Sequence, residues 1–112
     1  MAAGRYALRI EQGASFETRL TWSKDGEAID MSGYSAALEI RDCHDALIYA
    51  ASNTNGRIYL DGTSLWLRFP DEDTNDLAPG SHRYDLELSD EDGNVTRLLE
   101  GSAFVTPQVT ES

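Results

Sequence analysis

Cys43 and His44 stand side by side, and a thiol next to a base is the beginning of a nucleophile. Neighbouring residues on an extended segment point to opposite faces, so this pair does not place the imidazole on the thiol. No nucleophile elbow or oxyanion-hole motif accompanies it. The other histidine, His82, is remote in sequence, and both lie beside turn-like residues. Asp71, Asp73 and Asn75 have the spacing that opens an EF-hand calcium loop. That loop then fails, with Asp76 where glycine is required and His82 where a bidentate acid is required. Asp90, Asp92 and Asn94 open a second such loop, which fails at Val95 and Gly101. Catalytic carboxylates need a shared cleft that splits their pKa values, whereas these acids fall on outward strand positions or in turns. The motifs GxxxxGK(S/T), GxGxxG, CxxC and HExxH are absent. The residues therefore predict no catalytic group, no cofactor, no metal and no small-molecule substrate: a non-enzymatic binding or structural module.

Charge narrows the partners. Asp and Glu number 20 against 9 Lys and Arg, a formal net charge of −11. Nucleic-acid binding needs Lys and Arg to neutralise phosphates, and this chain has no basic run, so no nucleic acid is expected. The acid reads instead as a solubilising surface. No apolar run approaches the roughly 20 residues that span a bilayer, and MAAGRYALRIEQG lacks the apolar centre of a signal peptide. Cys43 is the lone cysteine, so no intrachain disulfide is possible. The expectation is a soluble protein made in a reducing cytoplasm.

The elements that must carry these residues are strands. At 112 residues the chain is one domain, able to bury roughly two thirds of its unfolded surface. Turn signals recur every eight to twelve residues or so. Tyr6, Leu8 and Ile10 alternate with Ala7 and Arg9; Phe16, Leu20 and Trp22 share a face. A two-residue turn at Asp25-Gly26 places Trp22 opposite Ile29. Ala36, Leu38 and Ile40 face inward, and Leu47 to Ala51 is a short strand. Pro70 ends the strand of Leu65, Leu67 and Phe69. One helical turn is expected near 71–77, capped by Asp71 and stopped by Pro79-Gly80. In YDLELSDEDGNVTRLLEG, a three-residue loop Glu91-Asp92-Gly93 sets Glu87 opposite Arg97 and Leu86 opposite Leu98. Tyr84, Leu86 and Leu88 then point inward. From Pro107 the chain reads as an exposed tail. The predicted fold is an all-β sandwich of seven to nine mostly antiparallel strands. Trp22, Leu38, Ile40, Leu67, Phe69, Tyr84 and Leu86 are expected among its most buried residues, and Arg5 to Glu11 or Leu47 to Ala51 at its edges.

One surface stands out. A two-residue turn at Asp61-Gly62 pairs Ile58 with Leu65 inside and Arg57 with Trp66 outside, with Tyr59 and Arg68 on the same outer face. Tyr, Trp and Arg are the residue types enriched in interface hot spots. Arg57, Tyr59, Trp66 and Arg68 are therefore the candidate protein-contact residues.

The order of phrases adds a resemblance: IEQGASFETRLTW, GEAIDMSGYSAALEIRD, GRIYLDGTSLWLRFP, then LAPGSHRYDLELSDEDGNVTRLLEGSAFVTPQVT. It resembles a family of small proteins encoded among the virion structural genes of tailed bacteriophages, over Tyr6 to Thr110. The most specific parts are Glu11-Gln12-Gly13, the phrase Ile29 to Tyr34, and the end from Tyr84 to Leu88 through Gly101 to Pro107. More distantly the chain is similar to the N-terminal β-sandwich of upper baseplate proteins, which docks a fibre or receptor-binding element onto a tail. Met31 departs from the family's usual leucine, and Arg57-Ile58-Tyr59 is more polar and aromatic than its usual run. The resemblance implies an immunoglobulin-like sandwich, a place in the virion, and no catalytic residue. The expected partners are other virion proteins and copies of the chain itself in a symmetric assembly. The tail or fibre-attachment region comes first and head decoration second. A cytoplasmic immunoglobulin-like adaptor outside the virion is the competing class.

Overall fold

The structure is a computed structural model that describes residues 4–108. Among these, eleven strands and one short helix follow in the order β1 (Gly4–Arg5), β2 (Leu8–Glu11), β3 (Phe16–Thr21), β4 (Ser23–Lys24), β5 (Glu27–Ala28), β6 (Ser35–Arg41), β7 (Leu47–Ser52), β8 (Ile58–Asp61), β9 (Ser64–Phe69), α1 (Asp71–Asn75), β10 (Gly80–Ser89) and β11 (Val95–Thr106). Three of the strands, β1, β4 and β5, are only two residues long.

Two sheets pack face to face. The larger runs β1-β11-β10-β6-β7, with β2 also on β11; the smaller runs β3-β9-β8. Every pairing is antiparallel except those of β1 and β2 with β11. The chain crosses between sheets after β2, before β6, after β7 and after β9. This is the immunoglobulin arrangement, in which a final hairpin (β10–β11) lies beside the third main strand (β6) and faces a three-stranded partner sheet.

Period-two alternation builds the core. Strands β6 and β10 alternate buried and open positions along their length, because successive side chains point to opposite faces. Leu38, Ile40, Leu86 and Leu88 from the larger sheet meet Leu65, Leu67 and Phe69 from the smaller, with Ile10 and Met31 beside them. Each such fully buried side chain contributes about 1.5–3 kcal/mol of transfer free energy. Trp22 does not join them. It is half-buried, packed edge-on to Tyr34 with ring centroids 6.0 Å apart. It follows β3, the rim of the smaller sheet, and the β4–β5 hairpin then leaves the sandwich. Trp22 does stand opposite Ile29, whose N–H donates to its carbonyl.

Two registers differ from the sequence expectation. Glu87 faces Arg97 across the three-residue loop, but Leu86 faces Leu99, because a bulge shifts the ladder between Leu86 and Glu87. Residue 98 is the extra one. The β8–β9 turn is Gly62-Thr63, not Asp61-Gly62: Asp61 pairs with Ser64 and Leu60 with Leu65. Gly62 has φ +60° at the first central position, where glycine costs least. Ile58 thus faces Leu67 rather than Leu65. The two-residue slide keeps every side chain on its expected face.

The helix closes one end. Its N-cap is Pro70, without a side-chain cap, so Asp71 is the first helical residue rather than the cap. What holds α1 is Thr74, fully buried, whose hydroxyl donates to the Ala14 carbonyl at 2.8 Å and accepts the Gly13 N–H. Gln12 donates to the Leu77 carbonyl, and its side-chain oxygen accepts the N–H of Gln108. The phrase Glu11-Gln12-Gly13 is thus a clasp between β2, the helix and the end of β11. It also ties down the first residues of the expected tail; residues 109–112 lie outside the described residues.

Candidate functional site

Of the groups that looked reactive, the aspartates hold turns and the two histidines lie apart. Cys43 and His44 are exposed in the β6–β7 turn, where one Asp42 carboxylate oxygen accepts the N–H groups of His44 and Ala46. Those backbone bonds, Ala46 first, hold the Asp42 carboxyl below its usual range. Asp90 does the same in the β10–β11 loop, accepting from Asn94 and from the N–H of Asp92. His82 is buried in β10, its Nε2 at 2.7 Å from the Ala78 carbonyl. No three His, Cys, Asp or Glu side chains gather into a metal-binding group among the described residues. No helix there is long and apolar enough to cross a membrane.

Arg57 does not join the expected outer cluster. It turns toward α1, where its Nε donates to Asp73 at 2.6 Å, and the Tyr49 hydroxyl donates to the same carboxylate oxygen at 2.6 Å. The Arg57 guanidinium, then the Tyr49 bond, hold the Asp73 carboxyl low against the pull of burial. Burial first, then the Asp73 carboxylate, push the Tyr49 phenol well above its usual range. Asp73 sits in the first turn of α1 and Tyr49 on β7, so this triad ties both sheets to the helix. No sequence pattern announces it, because its members are 8 to 24 residues apart, on β7, just before β8 and on α1.

Tyr59, Trp66 and Arg68 do come together on the outer face of the smaller sheet. Tyr59 pairs directly with Trp66 across the β8–β9 hairpin. The Arg68 guanidinium lies 5.3 Å from the Tyr59 ring centre and 5.2 Å from that of Trp66. Arg19 enters from β3 on the other side, opposite Trp66 and 5.9 Å above its ring. Glu17, one pair along, meets Arg68 at 3.3 Å. The face therefore reads Arg19, Trp66, Tyr59 in one row, with Arg68 bridging the two rings. Arg19 was missed in the sequence, where only its outward parity is visible; the β3–β9 pairing that brings it to Trp66 joins segments more than forty residues apart. Tyr59 is 49% exposed, and Trp66 is half-buried.

The outer face of the larger sheet is different. Glu39, Asp85 and Glu100 lie in one cross-strand row. The arginines around it are all engaged: Arg5 with Glu100, Arg41 with Glu39, Arg83 with Asp45, and Arg97 with Asp85 and Glu87. Burial first, and then the neighbouring Glu87 and Glu39, raise the Asp85 carboxyl against the opposing pull of Arg97. That surface is dominated by paired charges, with one Arg9–Phe104 contact at its far end, whereas the smaller sheet's centres on two rings and two guanidiniums.

Comparison with known proteins speaks to the fold. No protein-family model matches the chain, and no curated protein matches it. Among solved structures it is similar to CopC from Methylosinus trichosporium OB3b, at 17% sequence identity and a TM-score of 0.53. The alignment covers 94% of this chain and 90% of that one. At such identity the likeness is one of β-sandwich architecture.

Proposed function

We propose that this chain is a non-enzymatic structural component of a tailed-phage virion, acting through protein–protein contacts in the tail or fibre-attachment region. The observation that carries the contact reading is the Arg19–Trp66–Tyr59–Arg68 face, with its rings and guanidiniums on the outside of a chain of net charge −11. Tyr and Trp supply large contact area at low entropic cost, and arginine is enriched with them at interface hot spots. The virion reading is supported by the phrases Glu11-Gln12-Gly13, Ile29 to Tyr34 and Tyr84 to Pro107. Their roles here are architectural, as the Gln12 clasp and the buried Met31 illustrate. They favour a fold-and-assembly role over a reaction.

The test is mass spectrometry of purified particles. Stoichiometric presence supports the virion role, and absence favours an adaptor outside the particle. A folded Trp66→Ala variant is expected to be incorporated poorly; normal incorporation removes this face from the assembly contact.

A further inference from the structure

Among the described residues, strand β3 is hydrogen-bonded on one side only, to β9. Its inward side chains, Phe16, Thr18 and Leu20, are all only half-buried, whereas their partners Phe69, Leu67 and Leu65 on β9 are at most 1% exposed. The sandwich is therefore incompletely covered along this rim. The β7 rim of the larger sheet is plugged at one end instead. On β7 the Asn55 side chain accepts the Ser52 N–H at 3.0 Å and donates to the Ala50 carbonyl at 3.2 Å, as a neighbouring strand would. Natural sheets blunt edges in such ways, and β3 has no comparable plug: no side chain bonds its backbone among the described residues.

The strand's sequence, Phe16-Glu17-Thr18-Arg19-Leu20, has a symmetry that selects a partner. We propose that β3 pairs antiparallel with β3 of a second copy, with Thr18 on the two-fold axis. In that register Phe16 faces the second copy's Leu20 on the inner side, and Glu17 faces its Arg19 on the outer side, each twice by symmetry. Thr18 faces its own counterpart. Cross-strand pairs of these kinds each stabilise a sheet. The register holds whichever alternate set of β3 backbone groups faces away from β9, because the axis passes through a residue. The interface is self-complementary, as two-fold association requires, and it joins the two smaller sheets into one six-stranded sheet. The half-buried inner side chains gain cover, and the two Trp66 faces become one continuous surface. Two chains of net charge −11 repel at long range, but at physiological salt charges more than about 8 Å apart are largely screened, so the local Glu17–Arg19 pairs decide. The inference does not depend on the virion reading.

Sedimentation equilibrium of the full chain at physiological salt, up to about 1 mM, tests it. The wild type is expected to form a reversible dimer. Glu17→Arg and Arg19→Glu each create like-charge pairs across the axis. Each is expected to raise the dissociation constant about tenfold or more, since like charges across an interface cost up to several kcal/mol. Both positions are exposed, and unchanged circular dichroism confirms that the fold survives. The decisive arm mixes the two variants. In the mixed dimer the arginine introduced into one chain meets the glutamate introduced into the other. The native Arg19 of the first still meets the native Glu17 of the second, and the dimer mass returns. A wild type that stays monomeric throughout overturns the proposal. So do single variants that dimerise like the wild type, or a mixture that fails to associate.

Discussion

Tyr59 and Trp66 stand directly opposite each other on β8 and β9, and one guanidinium, that of Arg68, lies within 5.3 Å of both ring centres. Arg19 closes the other side of Trp66. Each exposed cation–π contact contributes roughly 0.5–1 kcal/mol. Trp66→Ala is therefore expected to cost about 1–2 kcal/mol in urea denaturation while leaving the far-UV spectrum unchanged. A loss of cooperative unfolding would mean that the ring supports the core.

Leu38 and Leu86 face each other across β6 and β10, both with no exposed surface. Leu38→Ala or Leu86→Ala should lower unfolding free energy by about 2–5 kcal/mol, the transfer term plus the cavity left in a packed core. The midpoint of chemical denaturation reads it directly.

Gly101 lies where the chain passes from β1 to β2. A Cβ there would stand 2.7 Å from the Tyr6 carbonyl oxygen, which is backbone and cannot swing away. The same carbonyl accepts the Tyr84 hydroxyl. Gly101→Ala is expected to push β1 and β2 off β11 at a cost of about 1–3 kcal/mol. Faster amide exchange in Leu8–Glu11, with β6 unaffected, is the signature. Tyr84→Phe keeps the ring and loses one hydrogen bond, at about 0.5–1.5 kcal/mol.

Asp85 carries a raised carboxyl pKa, from burial first and its acidic neighbours next. A raised folded value favours the protonated form, so this group contributes stability below its unfolded value that is lost as pH rises through the folded value. Asp85→Asn is accordingly expected to stabilise the protein at pH 7 by a few tenths of a kcal/mol, because the site is solvent-screened. The gain should vanish below about pH 3.9, where the native Asp85 is itself neutral in both states. Denaturation midpoints at both pH values check the sign.

Asp73 is the opposite case, its carboxyl held low by Arg57 and Tyr49. Its contribution is present above the unfolded carboxylate value and is lost as pH falls through the lower folded one. Asp73→Asn should destabilise at neutral pH and flatten that part of the acid limb. An unchanged limb would show that the triad contributes nothing to acid stability.

Strand identity was legible from residues 36–40 and 84–88, where alternation puts leucine and isoleucine on one face and charge on the other. The Glu87–Arg97 pairing followed from loop chemistry alone, because turn type sets register locally. The same logic missed by one residue at Gly62-Thr63, where glycine takes the positive φ of the first central position, and at the bulge opposite Leu86, which the loop chemistry does not encode. Outward parity placed Tyr59, Trp66 and Arg68 on one face. It could not say that Arg57 would leave that face for Asp73, or that Arg19 would arrive from β3. Nor could it show that Trp22 stays half-buried, since burial depends on whether a strand is central or at the rim. Sequence by itself determined periodicity, turns and charge, which act over a few residues. Strand order, and with it the composition of the aromatic face and the open rim of β3, was decided only by the tertiary structure, because those contacts join segments whose separation along the chain carries no local signal.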